Sequence, residues 1–185
     1  MNKKKIAVIV GSLRKESFHR KIANYIATIA PENLELEFVE VGGLPLFNED
    51  LDGKNAPESW VNFRNKIKEM NGVILVSPEY NRSMPATIKN ALDVGSRPYG
   101  SNVWDGMAGA VISGSLSGIG GFGANHHIRQ SAVFLNIFMM QQPEAYIPTI
   151  QNIFDNAGNV KSEETKAVFQ KFINAFEKWV EKVSR

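Results

Sequence analysis

The chain has 185 residues, of which 43% are hydrophobic and 22% charged, and this is the size and composition of one globular domain rather than of a disordered or fibrous protein. Its net charge of +2 is too small to predict binding to nucleic acid or to a membrane surface. The absence of cysteine excludes a disulfide framework, a thiol nucleophile, a zinc site with cysteine ligands and an iron–sulfur cluster.

The first half of the chain alternates between strand and helix patterns. Residues 6–10 form a continuous apolar run, which predicts a strand buried on both faces. Isoleucines at helical spacing follow over 17–30, with Ser17 as the expected N-cap. Residues 34–39 alternate between apolar and polar types and predict an edge strand. Pro57 occupies a position typical of the first turn of the next helix.

The second half repeats this alternation. Residues 72–76 predict a third buried strand and residues 108–112 a fourth. Ser83 is the expected cap of the helix between these two strands. After the fourth strand, the pattern predicts a helix that runs to about Phe138 and a short final strand at 145–147.

The last predicted helix begins near Ser162 and ends among Lys178, Lys182 and Arg185, and these basic residues suit the helix dipole. Five strands alternating with five helices predict a single three-layer α/β domain over residues 1–185, with a parallel sheet between helices. The longest apolar run near the start is too short for a signal peptide or a membrane span, so we expect a soluble, cytoplasmic protein.

Three loops follow the first, third and fourth strands, where ligands of parallel α/β sheets bind. In the first loop, Ser12 and Ser17 supply hydroxyl groups and Arg14 supplies a guanidinium group, in front of a helix N-terminus. These groups predict a site for a phosphate dianion. The alternative is an ordinary capped strand-to-helix turn. No Gly-Lys-Ser or Gly-Lys-Thr is present to make the loop a P-loop.

The loop after the third strand contains two prolines, Pro78 and Pro85, which stiffen its backbone. Between them lie Glu79, Tyr80 and Asn81, three large polar residues at the expected binding edge. A rigid row of amides beside an aromatic ring favours a flat heteroaromatic ligand over a sugar or a metal. The alternative is that Tyr80 covers the core.

The loop after the fourth strand contains a formal G-x-G-x-x-G in Gly118, Gly120 and Gly123. A dinucleotide fingerprint would follow the first strand, and an acidic residue would end the next strand. Here the nearby acidic residue, Glu144, precedes its strand. We therefore favour a loop that approaches a planar ring closely, and keep Rossmann-type dinucleotide binding as the alternative.

The remaining polar residues give little support to metal or hydrolytic chemistry. The adjacent His126 and His127 would point about 100° apart on a helix, so with the distant His19 they make a poor metal site. No Ser/His/Asp set has a recognisable spacing, and no paired carboxylates lie in a candidate cleft. Chemistry carried by a bound cofactor needs neither arrangement.

The segments 11–18, 77–93, 97–104 and 127–147 together resemble the NADPH-dependent FMN reductase family, which includes bacterial quinone, azo-dye and chromate reductases. The resemblance implies a flavodoxin-like fold with a five-stranded parallel sheet in the order 2-1-3-4-5. It also implies FMN as the cofactor, with NADPH or NADH as the hydride donor.

By the same resemblance, three groups of residues would contact FMN. The residues around the phosphate would be Ser12, Arg14, Ser17 and Phe18, with His19 beside them in place of a small polar residue. The residues at the isoalloxazine edge would be Pro78, Glu79, Tyr80 and Asn81. The residues that approach the ribityl chain and the ring from the other side would be Ser113, Ser115 and Ser117.

The activity implied by the resemblance is ping-pong transfer of two electrons to small-molecule acceptors: quinones, azo dyes, metal oxyanions or flavins. Family members are commonly homodimers or homotetramers, with the helix that follows the third-strand loop, here residues 84–95, near the interface. The chain departs from the family at Val94, Met107 and Gly123; the loss of tryptophan at Val94 concerns interface packing, and the loss of arginine at Gly123 concerns nucleotide preference. A flavodoxin-type electron carrier is the main alternative, although such carriers are usually acidic. A flavodoxin-like scaffold with an empty site is another.

Overall fold

The computed structural model describes residues 3–155 and 157–183, so the prediction for Arg185 lies outside the described residues. The strands of its sheet are β1 (Lys4–Val10), β2 (Leu34–Phe38), β3 (Gly72–Pro78), β4 (Ala108–Gly114), β5 (Phe138–Met139) and β6 (Ala145–Ile147). The α-helices are α1 (Phe18–Thr28), α2 (Glu58–Lys68), α3 (Ala86–Gly95), α4 (Phe122–Phe134) and α5 (Glu163–Val183). Short 3-10 turns occupy Glu49–Leu51, Gly53–Asn55 and Ile150–Asn152.

All strand pairs are parallel, and the order is β2-β1-β3-β4, with β5 and β6 both beside β4. β5 pairs with the beginning of β4, where Ala108 lies opposite Phe138. β6 pairs with the end of β4, where Ile112 lies opposite Ala145. The order 2-1-3-4-5 and the flavodoxin-like fold are therefore confirmed. The fifth position of the sheet, predicted as one strand, consists of two short segments.

Burial explains the sequence patterns of the strands. Every residue of β3 and of β4 is buried, as expected for central strands covered by helices on both faces. β2 lies at the edge of the sheet and is mostly half-exposed, and there Glu37 forms ion pairs with Lys5 and Lys66. The alternation over 34–39 thus marks the edge strand that was predicted.

Two hydrophobic clusters, one on each face of the sheet, form the core. On one face, α1 and α5 cover the sheet, and Phe169, Phe172 and Phe176 of α5 are fully buried. On the other face, α2, α3 and α4 pack around the buried Trp60 and Trp104. Both clusters share the same central strands, so the helix layers are joined through one sheet.

The helix ends differ from the predictions in two places. Ser17 caps α1 as predicted, since its hydroxyl accepts a hydrogen bond from the Arg20 amide at 3.2 Å. Ser83 does not cap α3, whose N-cap position is Pro85. The helix expected to reach Phe138 ends at Phe134, because the chain turns through Asn136 with φ +56° and enters β5.

No helix among residues 3–155 and 157–183 is long and apolar enough to cross a membrane. Val94, one of the departures from the family, is fully buried in the core of this chain. Its carbonyl accepts a hydrogen bond from Arg64 Nε at 2.8 Å. The side chain of Val94 therefore packs inside the hydrophobic core of this chain.

Candidate functional site

A cleft of about 500 Å³ opens at the carboxyl ends of β1, β3 and β4, and this volume is typical of sites for small-molecule cofactors. Its walls come from the three loops that were predicted to meet here. The lining residues are Ser12, Arg14, Ser17, Phe18, His19, Pro78, Glu79, Tyr80, Asn81, Arg82, Gly114, Ser115, Leu116, Ser117 and Ile150. The structure thus brings together every predicted site residue except Ser113.

The first loop presents hydrogen-bond donors and one free cation to the cleft. Ser12 and Ser17 are both buried at the turn into α1. Arg14 is exposed, and among the described residues no carboxylate lies within ion-pair distance of it. A guanidinium group without a carboxylate partner beside a helix N-terminus fits a phosphate group. Thr87 supports the loop from α3 by donating its hydroxyl to the Gly11 carbonyl at 2.6 Å.

The loop after the third strand is a tight two-residue hairpin. The amides and carbonyls of Tyr80 and Ser83 exchange two hydrogen bonds of 3.0 Å, and this pairing takes the place of the predicted cap. Asn81 and Arg82 form the tip, with φ of +51° and +64°. Tyr80 is 46% exposed, so it does not cover the core. The hairpin therefore holds its backbone in a fixed conformation along the cleft.

The Glu79 side chain connects this hairpin to α4. Glu79 Oε2 accepts a hydrogen bond from the Ala124 amide at 3.2 Å, in the first turn of the helix. The N-cap residue of α4, Gly121, offers no side chain of its own for this purpose. A carboxylate at a helix N-terminus is stabilised by the free amides and the helix dipole. Glu79 therefore caps α4 from a different loop and fixes the hairpin against it.

Ser113 lies beneath the cleft rather than on its wall. It is fully buried, and its hydroxyl donates to the Gly120 carbonyl at 3.0 Å. The buried Asn125 donates its side-chain amide to Ser113 Oγ at 3.2 Å and accepts a hydrogen bond from Arg129 Nε at 2.9 Å. This network attaches the glycine-rich loop to β4. Ser115 and Ser117 do line the cleft, with their hydroxyls 3.0 Å apart.

Two glycines of the fourth-strand loop, Gly120 and Gly121, are required by packing. Gly120 has φ +66°, and a Cβ there would lie 2.8 Å from the Ile147 amide nitrogen of β6. Gly121 has φ +78°, and a Cβ there would lie 2.9 Å from Ser113 Cβ. The backbone of this loop is thus used to approach the sheet closely. This use accounts for these glycines without a dinucleotide pyrophosphate.

His19 lies on the cleft floor and is 7% exposed, so it does not point to solvent. Its Nε2 lies 3.1 Å from the Gly114 carbonyl, which can only accept, so Nε2 carries the proton and donates it. Burial lowers the pKa of His19 to about 4, and backbone hydrogen bonds to Gly114 and Ser77 oppose this shift only in part. His19 is therefore neutral at pH 7 and adds no positive charge to the first loop.

The other two histidines have separate partners. His126 Nε2 is 3.0 Å from the Tyr146 hydroxyl, and His127 Nδ1 is 2.8 Å from the Ser83 hydroxyl. Phe122 packs against both His126 and Tyr146, with ring centroids 4.1 and 5.4 Å away. Burial and a hydrogen bond to Glu144 raise the pKa of Tyr146 to about 12. Within the described part of the chain, no three potential metal ligands converge.

Sequence reasoning missed four lining residues: Arg82, Gly114, Leu116 and Ile150. Arg82 and Gly114 lie inside motifs already singled out, and Leu116 lies between two predicted serines, so proximity in sequence could have found them. Ile150 comes from the 3-10 turn after β6, and no sequence signal marks it.

Comparison with known proteins gives the family. The model of the NADPH-dependent FMN reductase family matches residues 4–152. A quinone reductase from Pseudomonas putida is 49% identical over 175 residues, which cover 95% of this chain and 94% of that protein. A 2-hydroxy-1,4-benzoquinone reductase from a Burkholderia species is 44% identical over 176 residues, 95% of this chain and 96% of that protein.

A solved structure is also similar to the whole chain. FerB, a flavoenzyme NAD(P)H:(acceptor) oxidoreductase from Paracoccus denitrificans, superimposes with a TM-score of 0.92 at 38% identity. The match covers 98% of this chain and 100% of that chain. The fold and the cleft define the class of protein: it is flavodoxin-like, with a cleft of cofactor size at the ends of its strands. The chain belongs to the NADPH-dependent FMN reductase family, and it is an oxidoreductase with FMN as cofactor and NAD(P)H as donor.

Proposed function

We propose that this protein passes two electrons from NADPH or NADH, through FMN bound in the cleft, to quinone acceptors by a ping-pong mechanism. The observation that carries the proposal is the convergence of the three predicted loops on one cleft of about 500 Å³. The names of the quinone reductases from Pseudomonas and Burkholderia support quinones as the acceptor class. Azo dyes, metal oxyanions and free flavins are further candidate acceptors.

The residues of the first loop fit the phosphate end of FMN. Ser12, Arg14 and Ser17 would hold the phosphate with a guanidinium group, hydroxyl groups and the N-terminus of α1. Phe18 would pack beside them, and the neutral His19 would lie beneath. FMN supplies an acceptor and donor of hydride that the side chains lack, so the protein needs only to bind and orient it.

The other two loops fit the ring and the ribityl chain. The segment from Pro78 to Asn81 would hold the isoalloxazine edge with those backbone amides that the turn leaves free, because the hydrogen bonds between Tyr80 and Ser83 fix the conformation of the turn. Ser115 and Ser117 would face the ribityl chain from the opposite wall. The predicted role of Ser113 becomes indirect, since its buried hydroxyl holds the loop that carries those two serines.

An exposed cleft mouth favours donor and acceptor entering in turn. Tyr80 is 46% exposed and Leu116 is 61% exposed, and both line the cleft. Side chains that remain accessible leave room for a flat molecule to stack against the bound ring. Because the nicotinamide and the quinone are both flat, we expect them to use the same face successively. Initial-rate plots should then give parallel lines when both substrate concentrations are varied, whereas intersecting lines would contradict a shared face.

Arg14→Ala should weaken FMN binding by about ten- to a hundredfold, because it removes charge-assisted hydrogen bonds to the phosphate. Isothermal titration of the apoprotein with FMN and, separately, with riboflavin measures this effect. Riboflavin lacks the phosphate, so its affinity should be the same for the variant and the native protein. An unchanged FMN affinity would remove Arg14 from the phosphate site. Lys171→Ala, on the far helix α5, is the matched control.

We further propose that the protein is a cytoplasmic homodimer or homotetramer. Val133 and Phe134 at the end of α4 are 80% and 91% exposed, which is unusual for a pair of adjacent large apolar residues. Light scattering coupled to gel filtration measures the oligomeric state, and cell fractionation measures the location. A monomer at micromolar concentration would contradict the oligomer proposal without affecting the proposed activity.

A further inference from the structure

Arg82 occupies a backbone position that normally belongs to glycine. It is the second tip residue of the two-residue hairpin, with φ +64°, after Asn81 with φ +51°. Two-residue hairpins with both tip residues at positive φ strongly favour Asn-Gly, and Asn81 follows this preference. A long side chain in the left-handed region is disfavoured because Cβ crowds the following carbonyl oxygen. Glycine at position 82 would thus suit the turn better than arginine.

The guanidinium group of Arg82 is only weakly held by the protein. Its described partner is Glu79, with Nη1 and Oε1 3.5 Å apart, and the Arg82 side chain is 69% exposed. The other carboxylate oxygen of Glu79 is already bonded to the Ala124 amide. An exposed ion pair of this length contributes little to stability. The strain at position 82 is therefore not offset by a strong contact within the chain.

The cleft has two cations, and the proposed cofactor accounts for one of them. Arg14 on the first loop fits the FMN phosphate, whereas Arg82 lies near Tyr80 on the loop that follows β3. Tyr80 and Leu116, both exposed, give the cleft mouth an aromatic and an aliphatic surface for a flat ring. A guanidinium group next to such a surface suits a planar molecule that carries negative charge.

We propose that Arg82 is a specificity-determining residue that binds an anionic group of a substrate entering the cleft after FMN. This inference rests on the proposed function. Two substrates have the required chemistry. A hydroxyquinone is a vinylogous acid and is ionised at neutral pH, so it presents an oxyanion on its ring. The nicotinamide nucleotide presents phosphates. A neutral quinone presents neither.

The test compares the native holoenzyme with Arg82→Gly, Arg82→Gln and Arg82→Lys, and with Lys171→Gln as a control for the loss of one surface charge. Stopped-flow absorbance measures the two half-reactions separately: reduction of the holoenzyme by NADH, and reoxidation by 1,4-benzoquinone or by 2-hydroxy-1,4-benzoquinone. Two of these reactions involve an anionic substrate: reduction by NADH and reoxidation by 2-hydroxy-1,4-benzoquinone. We expect Arg82→Gly and Arg82→Gln to lower the rate constant of one of these two reactions by about three- to tenfold. Arg82→Lys should retain most of that rate, and reoxidation by neutral 1,4-benzoquinone should not change.

Thermal unfolding of the same variants gives an independent readout. Because glycine relieves the strain at φ +64°, Arg82→Gly should raise the unfolding temperature by about 2 °C, while its affinity for FMN stays within about twofold. A gain in stability accompanied by a loss of rate with one anionic substrate would show that arginine is kept at this position for binding.

The pattern of rates identifies the source of the anion. A loss confined to hydroxyquinone reoxidation assigns the site to the acceptor oxyanion, and a loss confined to NADH reduction assigns it to the nucleotide phosphates. Equal losses with the neutral and the charged quinone, or no loss in either half-reaction, would overturn the proposal. If the native protein bound no FMN, the proposed function itself would fail, and that result is recorded before any variant is compared.

Discussion

At the scale of single residues, the site depends on which side chains are charged and which are held by the protein. Arg14 has no carboxylate partner among the described residues, while the Glu79 carboxylate is bonded to α4. His19, although polar and close to the first loop, is buried and neutral. The sequence predicts that all three lie at the cleft, and the structure has them among its lining residues, but their charge and direction depend on tertiary contacts that are distant in sequence.

The buried His19 should make the protein less stable in mild acid. In the unfolded chain this imidazole takes up a proton near pH 6.5, whereas in the folded protein its pKa is lowered to about 4. The unfolded state therefore binds more protons between these values, so the free energy of unfolding falls as the pH falls through this range. From pH 8 to pH 5 this single group should lower it by about 2 kcal/mol.

Urea unfolding of the native protein and of His19→Asn at pH 8 and pH 5 measures this difference. The Asn variant lacks the titrating group, so its loss of stability over the same interval should be smaller by about 2 kcal/mol. Comparing the change in the free energy of unfolding between pH 8 and pH 5 in the two proteins removes the contribution of the other titrating groups. Identical changes in both proteins would mean that His19 is protonated in the folded protein as easily as in the unfolded chain.

At the scale of elements, sequence patterns predict the long strands and helices, and they miss short strands and the hydrogen bonds at the ends of elements. The apolar runs at 6–10, 72–76 and 108–112 lie within β1, β3 and β4, because central strands buried on both faces need such runs. β5 has only two residues and was missed, since no periodicity can be detected over that length. The prediction that Ser83 caps α3 was wrong because the backbone of Ser83 pairs with that of Tyr80 in a two-residue hairpin, and α3 begins after Pro85.

The site shows the same division. Three loops were located from sequence because the carboxyl ends of parallel strands share one edge of the sheet. Ser113 lies within β4, whose residues are all buried, and there it meets Asn125 of α4, so its burial depends on where that helix packs. Such contacts between a helix and a strand cannot be read from spacing. They decide which of the predicted residues line the cleft and which support it.

The packing of α3 on Trp104 gives a prediction at this scale. A Cβ at Gly95, the last residue of α3, would overlap the buried indole ring, whose Nε1 donates to the Leu92 carbonyl at 3.0 Å. Gly95→Ala should lower the free energy of unfolding by about 1–3 kcal/mol, although alanine is the better helix former. Gly43→Ala, where a Cβ meets nothing within 4 Å, is the control.

Urea unfolding at pH 8 measures both glycine variants, and Gly43→Ala should differ from the native protein by no more than about 0.5 kcal/mol. If Gly95→Ala were as stable as Gly43→Ala, Trp104 would have space to move and the contact between α3 and the indole would not constrain the core.

At the scale of the whole molecule, one sheet carries both the stability and the site. The two hydrophobic clusters cover opposite faces of the same strands, and the cleft lies at the ends of those strands. The interpretation of the chain as one domain stays a prediction, and it implies a single cooperative unfolding transition. The strand ends that form the cleft thus belong to the same sheet that carries the core, and FMN would supply the chemistry when it is bound there.

The most direct test of the proposed activity is an anaerobic visible spectrum of the protein reconstituted with FMN, recorded before and after NADPH is added and again after a quinone is added. Bleaching of the flavin bands by NADPH, followed by their recovery with the quinone, is the result we predict. Flavin bands that persist with NADPH but bleach with dithionite would contradict it and would indicate an electron carrier. A protein that retains no FMN would contradict the assignment of the cleft itself.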